Sequence, residues 1–201
     1  MIKAVLFDVD GVLSAHEPFS KRLERDHGIT EDITVPFFRG PFRDCLVGKA
    51  DLKEQLSSYL KQWGWQNTVN DFLSYWFLAE HQPNLPLLQV AQRLRQHGIP
   101  CYLATNQERY RTEYILNEMG FATQFDGAFS SAYVGYTKPQ VEFFHHILYK
   151  LAHVEASEIL FWDDTLENII VAREVGLYAE HYSVFDDFIN TMRVYFDGMA
   201  F

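Results

Sequence analysis

Hydrophobic residues run along this chain in two rhythms. One is a short unbroken apolar run that stops at polar residues: Lys3-Ala4-Val5-Leu6-Phe7, Ile99-Pro100-Cys101-Tyr102-Leu103-Ala104, a weaker one near Gly127 to Ser130, Ile159-Leu160-Phe161-Trp162, and a final one near Leu177 to Ala179. Runs this short predict strands buried on both faces, as in a parallel sheet. The other rhythm is helical and fills the intervals: about Leu87 to Gln96, Glu108 to Met119, Val141 to Leu151, and the segment after Asp164 that stops at Gly176. Gly98 and Gly176 fall where helix C-termini favour glycine.

From about Ser14 to Asn84 only the helical rhythm is present. One helix is predicted to begin near Asp51, which with Glu54 has the spacing of a capping box, and carries Leu52, Leu56, Tyr59, Leu60 and Trp63 on one face. A second places Val69, Phe72, Leu73, Trp76 and Phe77 together. Weaker helical segments around Lys21 to His27 and Pro36 to Leu46 complete a small bundle. The expected architecture is an α/β core, a doubly wound parallel sheet built from residues 1–14 and 85–201, with a helical cap, 15–84, inserted into it. Ligands of such sheets bind beyond the carboxyl ends of the strands. Asp8 and Asp10, Thr105 and Asn106, Lys138, and Asp163 and Asp164 all fall there.

Composition narrows the function. A net charge of −10 over 201 residues argues against a grip on nucleic acid or anionic lipid. No apolar run reaches membrane-spanning length, and the chain enters a strand without a leader pattern, so a cytoplasmic protein is expected. The two cysteines, Cys45 and Cys101, lack C-x-x-C spacing and read as reduced structural thiols. Oligomeric state is not legible.

The chemistry concentrates at Phe7-Asp8-Val9-Asp10-Gly11-Val12-Leu13. Alternation along a strand would project Asp8 and Asp10 to one side. Two carboxylates at about 4 Å repel by roughly 4 kcal/mol at an effective dielectric of about 20, so a divalent cation, a lysine or a retained proton is required.

With Leu103-Ala104-Thr105-Asn106, Lys138-Pro139, and Phe161-Trp162-Asp163-Asp164 followed by Asn168, this stretch resembles the four ordered motifs of the haloacid dehalogenase-like hydrolase superfamily. The 15–84 insertion is similar to the helical cap of that family's first subclass, on a Rossmann-like core. Phe38-Arg39-Gly40-Pro41-Phe42-Arg43-Asp44-Cys45 and Gly48-Lys49-Ala50-Asp51 resemble caps of bacterial sugar-phosphate phosphatases and of the phosphatase domain of mammalian epoxide hydrolases.

The resemblance implies a nucleophile at Asp8, an acid/base at Asp10 and Mg²⁺ held by Asp8, the backbone carbonyl of Asp10, and Asp164, with Asp163 a further ligand or a support. Thr105 and the Asn106 N–H would hold phosphoryl oxygens, and Lys138 would neutralise charge. Four carboxylates against one dication and one lysine leave room for a proton, expected on Asp10. Arg39, Arg43, Lys49 and His16 are candidates for substrate contact. The implied activity is Mg²⁺-dependent hydrolysis of a small phosphorylated metabolite such as a sugar phosphate, through an aspartyl phosphate. Rival readings are a phosphomutase, a dehalogenase, disfavoured because dehalogenases of the family lack the second carboxylate, and a non-catalytic phosphate binder.

Taken singly, each feature also has a plain structural reading. Asp8 and Asp10 could sit in a solvated loop and Lys138 on the surface, while Thr105, Asp163 and Asp164 could cap helices. The other histidines, including the adjacent His145 and His146, show no ligand spacing, and the aromatic residues, 16% of the chain, read as core packing.

Overall fold

A computed structural model describes residues 1–200 of the chain. In order, the elements are β1 (Ala4–Phe7), α1 (Phe19–His27), α2 (Glu31–Phe38), α3 (Phe42–Leu46), α4 (Leu52–Gln62), α5 (Val69–Ala79), α6 (Leu85–Gln96), β2 (Cys101–Thr105) and α7 (Arg109–Asn117). They continue with α8 (Phe121–Gln124), β3 (Gly127–Ser130), α9 (Ser131–Val134), α10 (Val141–Lys150), β4 (Ile159–Asp163), α11 (Leu166–Glu174), β5 (Tyr178–His181) and α12 (Phe185–Tyr195). The five strands form one sheet in the order β3-β2-β1-β4-β5. Every pairing is parallel, with Val5 opposite Cys101 and Leu160 on its two sides.

Strand periodicity divides the core. Val5 and Phe7 turn to one face with Leu103, Leu160 and Trp162, where α6 and α12 supply Leu87, Leu94, Phe188 and Met192. Ala4 and Leu6 turn to the other with Ala104 and Phe161, under Phe143, Phe144 and Ile147 of α10 and Ile169 and Ala172 of α11. All four residues of β1 are fully buried. Each large side chain so placed contributes roughly 1.5–3 kcal/mol of hydrophobic stabilisation.

Helices α1 to α5 build a separate apolar cluster between Phe19, Leu23, Phe37, Leu52, Leu56, Phe72, Trp76 and their neighbours. The helix expected over Pro36 to Leu46 is instead two, α2 and α3, broken at Gly40-Pro41. Pro41 has no N–H to continue the ladder, and a Gly40 Cβ would lie 2.6 Å from the Pro36 carbonyl. Asp51 caps α4 by accepting from the Glu54 N–H at 3.1 Å. The reciprocal box belongs to Thr68 and Asp71 at α5.

The chain crosses between helical insertion and sheet twice, and the two crossings are stitched together. Ala15 N–H donates to the Gln82 carbonyl at 3.0 Å, Asn84 N–H to Leu13 at 2.8 Å, and the Ser14 hydroxyl to the Glu80 carbonyl at 2.6 Å. Away from that seam the insertion touches the core again. Arg109 donates to the Gly48 carbonyl at 3.0 Å, Tyr110 to Asp51 Oδ2 at 2.6 Å, and Lys53 lies 4.3 Å over the Tyr110 ring. Among the described residues no helix is long and apolar enough to cross a membrane.

Candidate active site

The carboxyl ends of β1, β2 and β4 open into a cleft of about 350 Å³. Asp8, the first residue past β1, extends the ladder by donating its N–H to Trp162 at 2.9 Å, so its side chain emerges at the centre of the sheet. Asp8 and Asp10 lie in the loop beyond β1, not on the strand, and Gly11 turns that loop at φ +80°. A Cβ on Gly11 would fall 2.0 Å from Asp164 Oδ2, so glycine is what lets the Asp164 carboxylate approach.

The loop after β3 and α9 brings in Lys138. Its ammonium is buried, 2.9 Å from Asp8 Oδ1 and 2.6 Å from Asp163 Oδ2. Asn106 clamps that loop through its side chain, accepting from the Lys138 N–H at 2.8 Å and donating to the Lys138 carbonyl at 3.0 Å. Asp163 is wholly buried and receives, besides Lys138, the Asn168 amide at 3.0 Å and the Thr165 N–H at 2.8 Å. Thr105 lines the cleft at the end of β2 but caps no helix; the N-cap of α7 is Glu108. The N-cap of α11 is Thr165, not either aspartate.

Asp8 and Asp10 face different company. Ligand oxygens of Asp8, Asp163 and Asp164 lie within 4.8 Å of one another, and so, separately, do ligand atoms of Asp10, His16 and Glu80. Burial pushes the Asp8 carboxyl up to about 7, against the pull of Lys138 and with help from the Asp163 and Asp10 charges. For Asp10 burial is outweighed by the His16 hydrogen bond at 3.2 Å, the Arg111 charge and the Gln107 amide at 2.5 Å, and its pKa falls. In the metal-free chain it is therefore Asp8, not Asp10, whose hold on a proton is strengthened. Lys138 keeps its proton because Asp8 and Asp163 outweigh the penalty of burying it.

His16 and Pro18 line the cleft from the side of the helical insertion. Arg39, Arg43 and Lys49 do not reach it; all three are exposed on the insertion. A larger groove of about 670 Å³ between α4, α5 and α7 gathers Leu73, Phe77, Tyr110 and Tyr114. Among the described residues its charged lining groups, Lys53, Glu113 and Glu118, form no ion pair or carboxylate cluster of the kind Asp8, Lys138, Asp163 and Asp164 form, so the smaller cleft is the candidate site. Around Asp10 the sequence reading misses Gln107, Arg111 and Glu80, and at the cleft wall it misses Pro18 and Thr165. Gln107 and Arg111 follow the Thr105-Asn106 motif in a polar stretch that reads as a helix surface. Their burial, 6% and 1% exposed, is visible only in the fold.

A family model for the haloacid dehalogenase-like hydrolases matches residues 2–176. The chain belongs to that family. It is 30% identical over 184 residues, 89% of either chain, to a sesquiterpene phosphatase of Aspergillus oryzae. Over 90 residues, 45% of this chain and 17% of the other, it is 29% identical to a drimenol cyclase of Aspergillus calidoustus. Its fold matches that of a haloacid dehalogenase-family enzyme of Bacteroides thetaiotaomicron, solved in complex with magnesium and inorganic phosphate, at TM-score 0.81 and 20% identity over 96% of this chain and all of that one. An L-2-haloacid dehalogenase of Xanthobacter autotrophicus aligns at TM-score 0.66 and 20% identity over all of this chain and 85% of its own. The Rossmann-like α/β fold and the hydrolase family follow from these matches together.

Proposed function

We propose that this hydrolase is a Mg²⁺-dependent phosphatase of small phosphomonoesters that works through an aspartyl phosphate on Asp8. The observation that carries the reading is Lys138, buried between Asp8 and Asp163 at the strand ends while a second carboxylate, Asp10, stands in a cage of donors beside them. A dehalogenase has no leaving alcohol to protonate and no use for that second carboxylate.

The residues fit a hard dication. Asp163 has its oxygens filled by Lys138, Asn168 and Thr165, which assigns it to holding Lys138 and leaves the Asp8 and Asp164 carboxylates, with the Asp10 backbone carbonyl, as the oxygen donors. When bound, Mg²⁺ supplies neutralising charge to Asp8 and to the phosphoryl oxygens. Asp8 attacks phosphorus: its Oδ–P bond forms as the ester P–O bond breaks. Lys138, Thr105 and the Asn106 N–H hold the phosphoryl oxygens as charge moves onto them. Asp10 protonates the departing alkoxide and then takes a proton from the water that cleaves the phosphoaspartate. The incoming phosphate dianion favours a proton on Asp10, and His16, at 3.2 Å with a raised pKa of its own because the Asp10 bond outweighs burial, keeps one within reach.

The domain division, a catalytic core of 1–14 and 85–201 under a cap of 15–84, belongs to this reading and rests on the separate apolar cluster of the insertion and the stitched seam beside the cleft. With none of Arg39, Arg43 and Lys49 lining the cleft, recognition of a polyhydroxylated alcohol has little support there, and an apolar alcohol is the second reading, favoured by the sesquiterpene phosphatase relative. Phosphate release with Mg²⁺ and with EDTA, across sugar phosphates, an aryl phosphate and a fifteen-carbon isoprenyl monophosphate, tests both levels. Mg²⁺-dependent release is expected; no release from any phosphomonoester overturns the assignment.

A further inference from the structure

Arg111 sits on α7, in the core, yet most of what it touches belongs to the returning end of the helical insertion. It is 1% exposed. Its guanidinium donates to the Phe77 carbonyl at 3.3 Å and to the Glu80 carbonyl at 3.4 Å, capping the C-terminus of α5 where partial negative charge gathers. Nε lies 3.3 Å from Glu80 Oε2, and Nη2 lies 3.7 Å from Asp10 Oδ1. Glu80 is itself fixed from two sides, its Oε1 by the Trp76 indole N–H at 2.8 Å and its carbonyl by Ser14 at 2.6 Å. A fully buried cation thus stands between two carboxylates. One is on the seam where the chain re-enters the core, and the other is the acid/base of the proposed reaction.

A structural ion pair would need only Glu80. Arg111 adds a third direction of pull on Asp10, beyond His16 on Oδ1 and Gln107 on Oδ2, and that pull is set by how closely Glu80 holds the guanidinium. We propose that Arg111 and Glu80 are positioning residues that fix the Asp10 carboxylate from the cap seam and so set its reach to the ester oxygen. This rests on Asp10 being the acid/base.

Two variants displace Asp10 in opposite senses. Arg111→Gln removes the pull, whereas Glu80→Gln, which keeps the shape and an acceptor for Trp76, leaves Asp10 as the nearest carboxylate to Arg111 and draws it away from Gln107. Steady-state kinetics on an alkyl and an activated aryl phosphate, with rapid-quench release of the aryl alcohol, read the consequence. An aryl alcohol leaves without an acid, but hydrolysis of the phosphoenzyme still needs the base. In both variants kcat for the alkyl ester should fall about tenfold or more with KM within about threefold, and a burst of aryl alcohol should precede the steady state. Unchanged rates, a change in KM alone, or equal losses on both esters without a burst overturns the proposal, and Glu80→Gln decides if Arg111→Gln does not fold. Asp10→Asn run alongside separates the two claims. If it fails to show the alkyl–aryl split, the acid/base reading is wrong, and a crystal structure of Glu80→Gln then decides the positioning claim: a displaced Asp10 carboxylate supports it and an unmoved one overturns it.

Discussion

At the scale of single residues, the site separates two aspartates that are near neighbours in sequence by giving them opposite surroundings. Asp8 is buried beside Asp163 with one lysine to balance both; Asp10 is surrounded by donors. Asp8→Asn should abolish steady-state phosphate release, since an amide neither attacks phosphorus nor supplies an anionic ligand, and retained turnover in a clean preparation would sink the nucleophile assignment. Asp10→Asn should turn over slowly and accumulate a hydroxylamine-sensitive phosphoenzyme with an aryl phosphate; a quench that traps none counts against Asp10 as the base. The metal-free protein carries a second signature of Asp8. Its carboxyl holds a proton more tightly in the fold, up to about 7, than the ordinary 3.8 it regains on unfolding. Protonation therefore stabilises the fold fully at pH below the ordinary carboxylate range, and that contribution is lost as the pH rises through about 7. In EDTA the Tm of the parent relative to that of Asp8→Asn should decline between pH 4 and pH 7, since other carboxylates act alike in both proteins. Equal slopes in the two proteins would contradict it.

At the scale of elements, glycines and short polar links set how closely parts approach. Gly48 follows α3 at φ +69°, and a Cβ there would lie 2.2 Å from the Ala132 carbonyl of α9. Gly48→Ala should cost roughly 1–3 kcal/mol through the left-handed backbone and the forced separation of α3 from α9. The melting temperature measures this cost, and a melt within experimental error of the parent would show the contact to be dispensable. Asn106 shows the same economy. Its side chain is spent holding the Lys138 loop, so only its backbone N–H is left for phosphate, and an alanine there would loosen Lys138 from a distance.

At the scale of the whole molecule, the helical insertion meets the core at the seam around Ser14, Glu80 and Asn84, at Phe77 and His81 against Tyr114, and at the Gly48, Asp51 and Tyr110 contacts. The insertion reaches the cleft through His16 and Pro18, while Arg39, Arg43 and Lys49 are exposed and outside its lining. Alanine at each of the three should change kcat/KM by less than about threefold on a sugar phosphate and on a minimal aryl phosphate alike. A loss confined to the larger substrate would mean that the cap closes further and carries them over the site.

How much of this could be read from residue order alone follows from the range of the forces involved. Burial on both faces writes continuous apolar runs, so β1, β2 and β4 are plain in the sequence, while the partly exposed edge strands β3 and β5 leave only short, weak runs between helices. Local capping and breaking residues place most helices within a few positions, and the split at Gly40-Pro41 is hidden because α2 and α3 feed one apolar cluster. Polar residues at strand ends marked Asp8, Asp10, Thr105, Asn106, Lys138, Asp163 and Asp164, since a parallel sheet gathers the ends of distant strands at one edge. What a carboxylate feels, by contrast, is summed over neighbours that residue order does not bring near. The pKa of Asp10 is lowered by His16, Gln107 and Arg111, the last two about a hundred positions on, whereas that of Asp8 is raised because burial outweighs a lysine shared with Asp163. Arg111 and Glu80 carry no local mark of their burial, because a charged side chain enters a core only where its partners have already been assembled by packing of the two modules.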